Sequence, residues 1–196
     1  MHDTTLRRLR NRLVVATAAL SLGCAGEASG PFAHSALQQL APSSRLDHRT
    51  AALGECDILR APAGSQLVAR YFAVGVQIYR WSGTAWVFVA PEAVLSADAG
   101  GRSKVGTHYA GPTWESVSGS KVVGTVAQRC TPDATAIPWL SLTAVSSEGP
   151  GIFHRVTFMQ RLHTVGGLAP SAPGSAPSDV VRVPYTADYL FYRTMQ

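Results

Sequence analysis

The stretch Gly106-Thr-His-Tyr-Ala-Gly-Pro-Thr-Trp-Glu115 crowds a histidine, a tyrosine, a tryptophan and a glutamate around a Gly-Pro corner, and nowhere else do so many reactive side-chain types gather. His108 is the residue that would act, as a general base or a metal ligand, and either role needs a carboxylate or further ligands beside it. Glu115 is near enough in sequence for the Gly111-Pro112 corner to fold it back. Asp188 is the other candidate, set among aromatic residues in Tyr185-Thr-Ala-Asp-Tyr-Leu-Phe191. A carboxylate in such surroundings must find a partner or shift its pKa. The competing use of these residues is a polar network that fixes the corner. Tyr109, Trp114 and Trp139 are the aromatic side chains that would line a ligand pocket, with core packing as their alternative.

Common catalytic patterns are missing around this cluster. There is no His-Glu-x-x-His and no paired Cys-x-x-Cys, and His154 and His163 fall on opposite faces of one strand-like run, so the usual zinc arrangements find no ligands. No Gly-x-Ser-x-Gly elbow marks an α/β-hydrolase, and no Gly-x-Gly-x-x-Gly follows a strand. The residues therefore imply no metal and no cofactor.

The elements that must position the cluster read as β. From Leu67 onward, short runs rich in β-branched and aromatic residues are separated by Gly, Ser, Asp or Pro: 67–72, 75–81, 85–89, 105–110, 121–129, 139–146, 152–163 and 185–193. Trp81-Ser-Gly-Thr84 supplies a turn, so Gly75 to Val89 reads as a hairpin. Alternation assigns faces. Tyr185, Ala187, Tyr189 and Phe191 share one, and Ile152, His154, Val156, Phe158, Gln160 and Leu162 share another that is the better core face than Arg155, Thr157 and Arg161 opposite. About eight strands without helical repeats predict a mainly β fold, an antiparallel sandwich or a closed barrel, in a single domain over residues 55–196. Residues 166–178, rich in Pro, Gly and Ser, read as a mobile surface loop joining the last two strands.

The first 24 residues have the layout of an export signal: Arg7, Arg8, Arg10 and Arg12, then the apolar run Leu13 to Leu22, then Gly23, Cys24, Ala25 and Gly26. The run is too short to span a bilayer, and no later segment comes closer, so no transmembrane span is expected. Leu20-Ser-Leu-Gly-Cys24 resembles a lipoprotein signal, which would attach lipid at Cys24. Ser21 stands where a branched aliphatic residue is usual, and ordinary cleavage just after Cys24 or Ala25 is the alternative. The protein is thus expected to be exported, whether periplasmic, lipid-anchored or extracellular. Residues 25–54 read as a flexible lead-in, with at most a short helix at Phe32–Leu40.

Setting aside residues 1–23, with four Arg and one Asp, leaves 13 basic against 11 acidic residues, a net of about +2. With Lys104 and Lys121 the only lysines and no basic run beyond the leader, no nucleic-acid partner is expected. If Cys24 is lipidated or removed, Cys56 and Cys130 remain, as a disulfide in an oxidising compartment or as two separate thiols.

The blocks Gly75-Val-Gln-Ile-Tyr79, Trp86-Val-Phe-Val-Ala-Pro-Glu-Ala93, Gly111-Pro-Thr-Trp-Glu115, Ile137-Pro-Trp-Leu140, Gln160-Arg-Leu-His-Thr-Val-Gly-Gly167 and Val183-Pro-Tyr-Thr-Ala-Asp-Tyr-Leu-Phe-Tyr192 resemble those of the domain of unknown function 3455 family. The resemblance covers residues 55–193 and implies an exported domain of a kind found in bacteria and fungi; it brings no activity with it. The chain departs from the family's pattern where cysteines are expected, at Trp81 and in the loop before Asp179, so no family disulfide involving those places carries over.

Two functions fit these residues. One is an exported β domain that binds a small molecule or an envelope or matrix component, with the His108 to Glu115 corner shaping one end. The other is a hydrolase-like enzyme in which Glu115 or Asp188 orients His108.

Overall fold

A computed structural model describes residues 51–195. Its strands are β1 (Ser65–Trp81), β2 (Trp86–Ser96), β3 (Lys104–Tyr109), β4 (Thr113–Ser116), β5 (Lys121–Cys130), β6 (Trp139–Glu148), β7 (Phe158–Gly166) and β8 (Val180–Thr194). Each pairs antiparallel with the next in chain order and β8 closes on β1, so the sheet is a closed barrel of eight strands. Of the two arrangements open to such a sequence, the chain adopts the one without free sheet edges.

The expected hairpin is present: Trp81 pairs with Trp86, and the Ser82 N–H donates to the Ala85 carbonyl at 2.9 Å. The runs at 67–72 and 75–81 are one strand, because ladder pairing with β8 continues on both sides of Gly75. The short β4 follows the Gly111-Pro112 corner. Gly111 takes φ +80, a left-handed conformation open to glycine, and the chain turns back so that Tyr109 pairs with Thr113 and His108 with Trp114.

Residues 152–157 depart from the expected strand. Residues 152–155 form a turn, with Arg155 at φ 57, 156–157 are irregular, and β7 begins only at Phe158. Phe153, fully buried, comes from this turn and packs on Tyr71 and Phe191, plugging that end of the barrel. The assignment of faces also changes. Met159 belongs to the interior cluster, whereas Phe158 and Leu162 belong to a second cluster with Leu53, Cys56, Leu59, Leu190 and Tyr192. Both faces of β7 are buried, because 3₁₀ turns over Gly54–Leu59 cover the outside of β7 and β8.

Side-chain bonds fix this cover. Gln160 Nε2 donates to the Leu59 carbonyl at 2.7 Å, and the Tyr192 hydroxyl donates to Gln160 Oε1 at 2.7 Å. Cys56 and Cys130 form a disulfide that ties the 3₁₀ segment to the end of β5. Of the lead-in 25–54, only 51–54 are described, and Leu53 there is buried. The export signal, Cys24 and the Phe32–Leu40 segment lie outside the described residues. Among the described residues no helix is long and apolar enough to cross a membrane.

The β7–β8 loop is held at several points. The Tyr79 hydroxyl donates to the Gly167 carbonyl at 2.6 Å, and Trp86 Nε1 donates to the Ala172 carbonyl at 2.8 Å. The Ser175 and Ala176 N–H groups donate to Asp179 Oδ2.

Candidate functional site

Directly opposed residues on neighbouring antiparallel strands share a face, so the ladders define what points inward. Ala93 opposes His108, His108 opposes Trp114, and Trp114 opposes Val122. Leu140 opposes Arg161, and Arg161 opposes Tyr189. Ala93, Trp114, Val122, Leu140 and Tyr189 all belong to the interior core, so His108 and Arg161 are inside the barrel as well.

The interior is not filled at one end. A cavity of about 360 Å³ lies where the β1–β2 hairpin, the Gly111-Pro112 corner, the β5–β6 connection and β7 meet. That volume would hold roughly a dozen waters and falls in the ~300–1,000 Å³ range of small-molecule sites. Trp114, Leu140, Leu142, Ile137, Pro138 and Val126 make its apolar wall, and Phe88 and Val89 stand at its rim. Gly124 belongs to the same construction: a Cβ there would lie 2.7 Å from Met159 Cε and 3.3 Å from Trp114 Cζ3, so its absence gives the indole room inside the barrel.

The polar groups in this wall are few and incompletely paired. Arg161 is 9% exposed, and its Nε and Nη2 both donate to one neutral acceptor, the Pro138 carbonyl, at 3.3 and 2.9 Å. No carboxylate pairs with it among the described residues, and no Asp or Glu lines the cavity. Gln77 and Trp114 are 3% and 1% exposed, and neither Gln77 Nε2 nor Trp114 Nε1 has a hydrogen-bond partner among the described residues. Gln77 lies beside the Tyr185 hydroxyl, but its Nε2 does not meet the geometry of a hydrogen bond to it. Unpaired buried donors are uncommon, since each costs about 1–3 kcal/mol.

His108 is stacked on Trp114, with ring centroids 4.4 Å apart and planes 10° from parallel, and is tilted against Tyr189. Its Nδ1 lies 2.9 Å from the Thr113 carbonyl, which can only accept, so Nδ1 carries the proton and Nε2 is the bare nitrogen. Burial lowers its pKa to about 3; the Thr113 bond opposes that shift and the Arg161 charge adds to it. Burial likewise raises the Tyr185 and Tyr189 phenols, Arg161 opposing in both cases. At neutral pH the interior thus holds a neutral imidazole, neutral phenols and one permanent cation.

The residues singled out in the sequence are distributed over both faces of the sheet. His108 and Trp114 are inside, and Trp114 lines the cavity. Glu115 opposes Thr107 and Lys121 on the outer face, where the Tyr109 hydroxyl donates to its Oε2 at 2.6 Å. Asp188 opposes Leu162 on the outside, accepting from Arg70 Nη2 at 2.7 Å and lying 2.8 Å from His163 Nδ1. Trp139 packs on the outer cluster, edge-on to His163. The structure therefore brings His108 together with Trp114, and with neither Glu115 nor Asp188. Among the described residues no group of three His, Cys, Asp or Glu side chains is placed to hold a metal.

Arg161 and Gln77 are the residues that alternation alone misses. The consecutive apolar pair Phe158-Met159 carries the available signal, because a strand apolar on both faces is covered on both. On such a strand an arginine cannot be assigned to solvent.

A family model described as "Protein of unknown function (DUF3455)" matches residues 62–193. No curated protein and no solved structure matches the chain.

Proposed function

The chain belongs to this DUF3455 family, whose description carries no activity, and on that premise we propose that the domain is a binding protein that takes a small molecule into the open end of its barrel. Export, with the lipid anchor at Cys24 as one route to the membrane surface, belongs to the same proposal. The observation that carries it is the cavity of about 360 Å³ whose largely apolar lining is interrupted by a few polar side chains, Gln77, His108 and Arg161. A packing defect lined only by apolar groups would stay dry and need no donors; a ligand site needs a few placed polar groups in an apolar surround. The disulfide is consistent with folding in an oxidising compartment.

The test is a titration of ¹⁵N-labelled protein with a set of small aromatic compounds, neutral and anionic. Saturable shifts are expected at residues lining the cavity, and Val126→Trp, which places an indole at a half-buried position of its wall, is expected to abolish them. Shifts confined to the outer face, or unchanged by a folded Val126→Trp variant, would remove the support.

A further inference from the structure

Arg161 sets the chemistry that the cavity selects. A guanidinium has five N–H donors and keeps its charge, and taking it out of water is expensive unless an opposite charge and further hydrogen bonds compensate. Here it is 9% exposed, inside the barrel, and two of its donors share one carbonyl, Pro138 O. The Arg161 charge acts on His108, Tyr79, Tyr185 and Tyr189, none of which is a carboxylate, and the Tyr189 hydroxyl lies beside the guanidinium as a further neutral acceptor. Arg129, exposed at the rim, adds a second positive charge, and among the described residues neither arginine has an acidic ion-pair partner. Gln77 and Trp114, two residues of the same lining, each carry a buried donor, Nε2 and Nε1, without a partner among the described residues. The charge requirement in the cavity is therefore for an anion.

We propose that the ligand is a small organic carboxylate whose apolar body lies against Trp114, Leu140 and Leu142 while its carboxylate pairs with Arg161. Resting on the reading of the cavity as a ligand site, it names the chemical class that site takes. An Arg–carboxylate pair uses the guanidinium's planar fork. The anion repairs the charge that the fold leaves uncompensated, so binding and folding stability rise together.

The experiment is calorimetric titration of the disulfide-intact protein with an isosteric series: 3-phenylpropanoate, 3-phenylpropanamide and 3-phenylpropan-1-amine. The carboxylate is expected to bind at least about tenfold more tightly than the amide, and the amine more weakly than either, as charge-assisted bonds are roughly twice as strong as neutral ones. In Arg161→Gln the advantage of carboxylate over amide should vanish while amide binding persists. Equal affinity of wild-type protein for carboxylate and amide, with both lost in Val126→Trp, would overturn the anion assignment and leave the binding site intact. Failure of all three compounds to bind would overturn the site itself. The wild-type comparison decides the matter even if Arg161→Gln does not fold.

Discussion

His108 is the clearest case of one residue whose type suggested chemistry that its surroundings redirect. Enclosed between Trp114 and Tyr189 and donating to the Thr113 carbonyl, it is held neutral, with a pKa of about 3. Linkage gives this a sign. The unfolded chain binds a proton at this side chain below about pH 6.5 and the folded chain does not until about pH 3, so stability falls as pH drops through that window. The slope attributable to one such group is about 1.4 kcal/mol per pH unit. Urea unfolding between pH 4 and 6 should show a slope smaller by about that amount in His108→Phe, which keeps a ring against Trp114. Parallel slopes in the two proteins would mean that His108 takes up its proton in the folded state. Its chemical type and the turn beside it were legible in the sequence. Its separation from Glu115 was not, because a four-residue strand after the corner puts them on opposite faces of the sheet. Arg161 was misplaced for a related reason: alternation gives two faces and cannot say which is inside when both are covered.

At the scale of elements, the 3₁₀ turns at Gly54–Leu59 explain why β7 and β8 look apolar on both sides. They bury Cys56 and Leu59 completely against the barrel's outer surface and are anchored by the disulfide and by Gln160. Closing a chain segment of 74 residues should contribute about 4 kcal/mol in the chain-entropy picture. The Cys56→Ala/Cys130→Ala double variant is accordingly expected to unfold at lower denaturant, by about that free energy, with amide protection lost first at residues 54–59. Retained protection there would show that packing alone holds the segment. Seven of the eight strands were legible from their β-rich runs and turn residues, two of the runs forming the single strand β1, whereas the four-residue β4 matches none of those runs. The exception at 152–157 arises because Phe153 is more useful as a plug at the barrel's end than as a rung in a ladder.

For the whole molecule, ring closure gives the domain an interior, and the two ends of that interior are treated differently. One is plugged by Phe153, Tyr71 and Phe191; the other is open and lined by Trp114, Gln77 and Arg161. Eight β-rich runs are equally compatible with two packed sheets, and only pairing of β8 with β1, far apart in sequence, distinguishes the ring. Trp114 and Trp139 then report on the two sides of the sheet, one in the cavity wall and one on the outer cluster. The most direct measurement follows the tryptophan indole N–H resonances of the ¹⁵N-labelled protein during titration with 3-phenylpropanoate. Binding in the cavity moves the Trp114 indole saturably, together with the Gln77 side-chain amide, and leaves Trp139 in place. A Trp114 resonance that stays fixed up to saturating ligand, or one that moves no more than Trp139, would contradict binding inside the barrel.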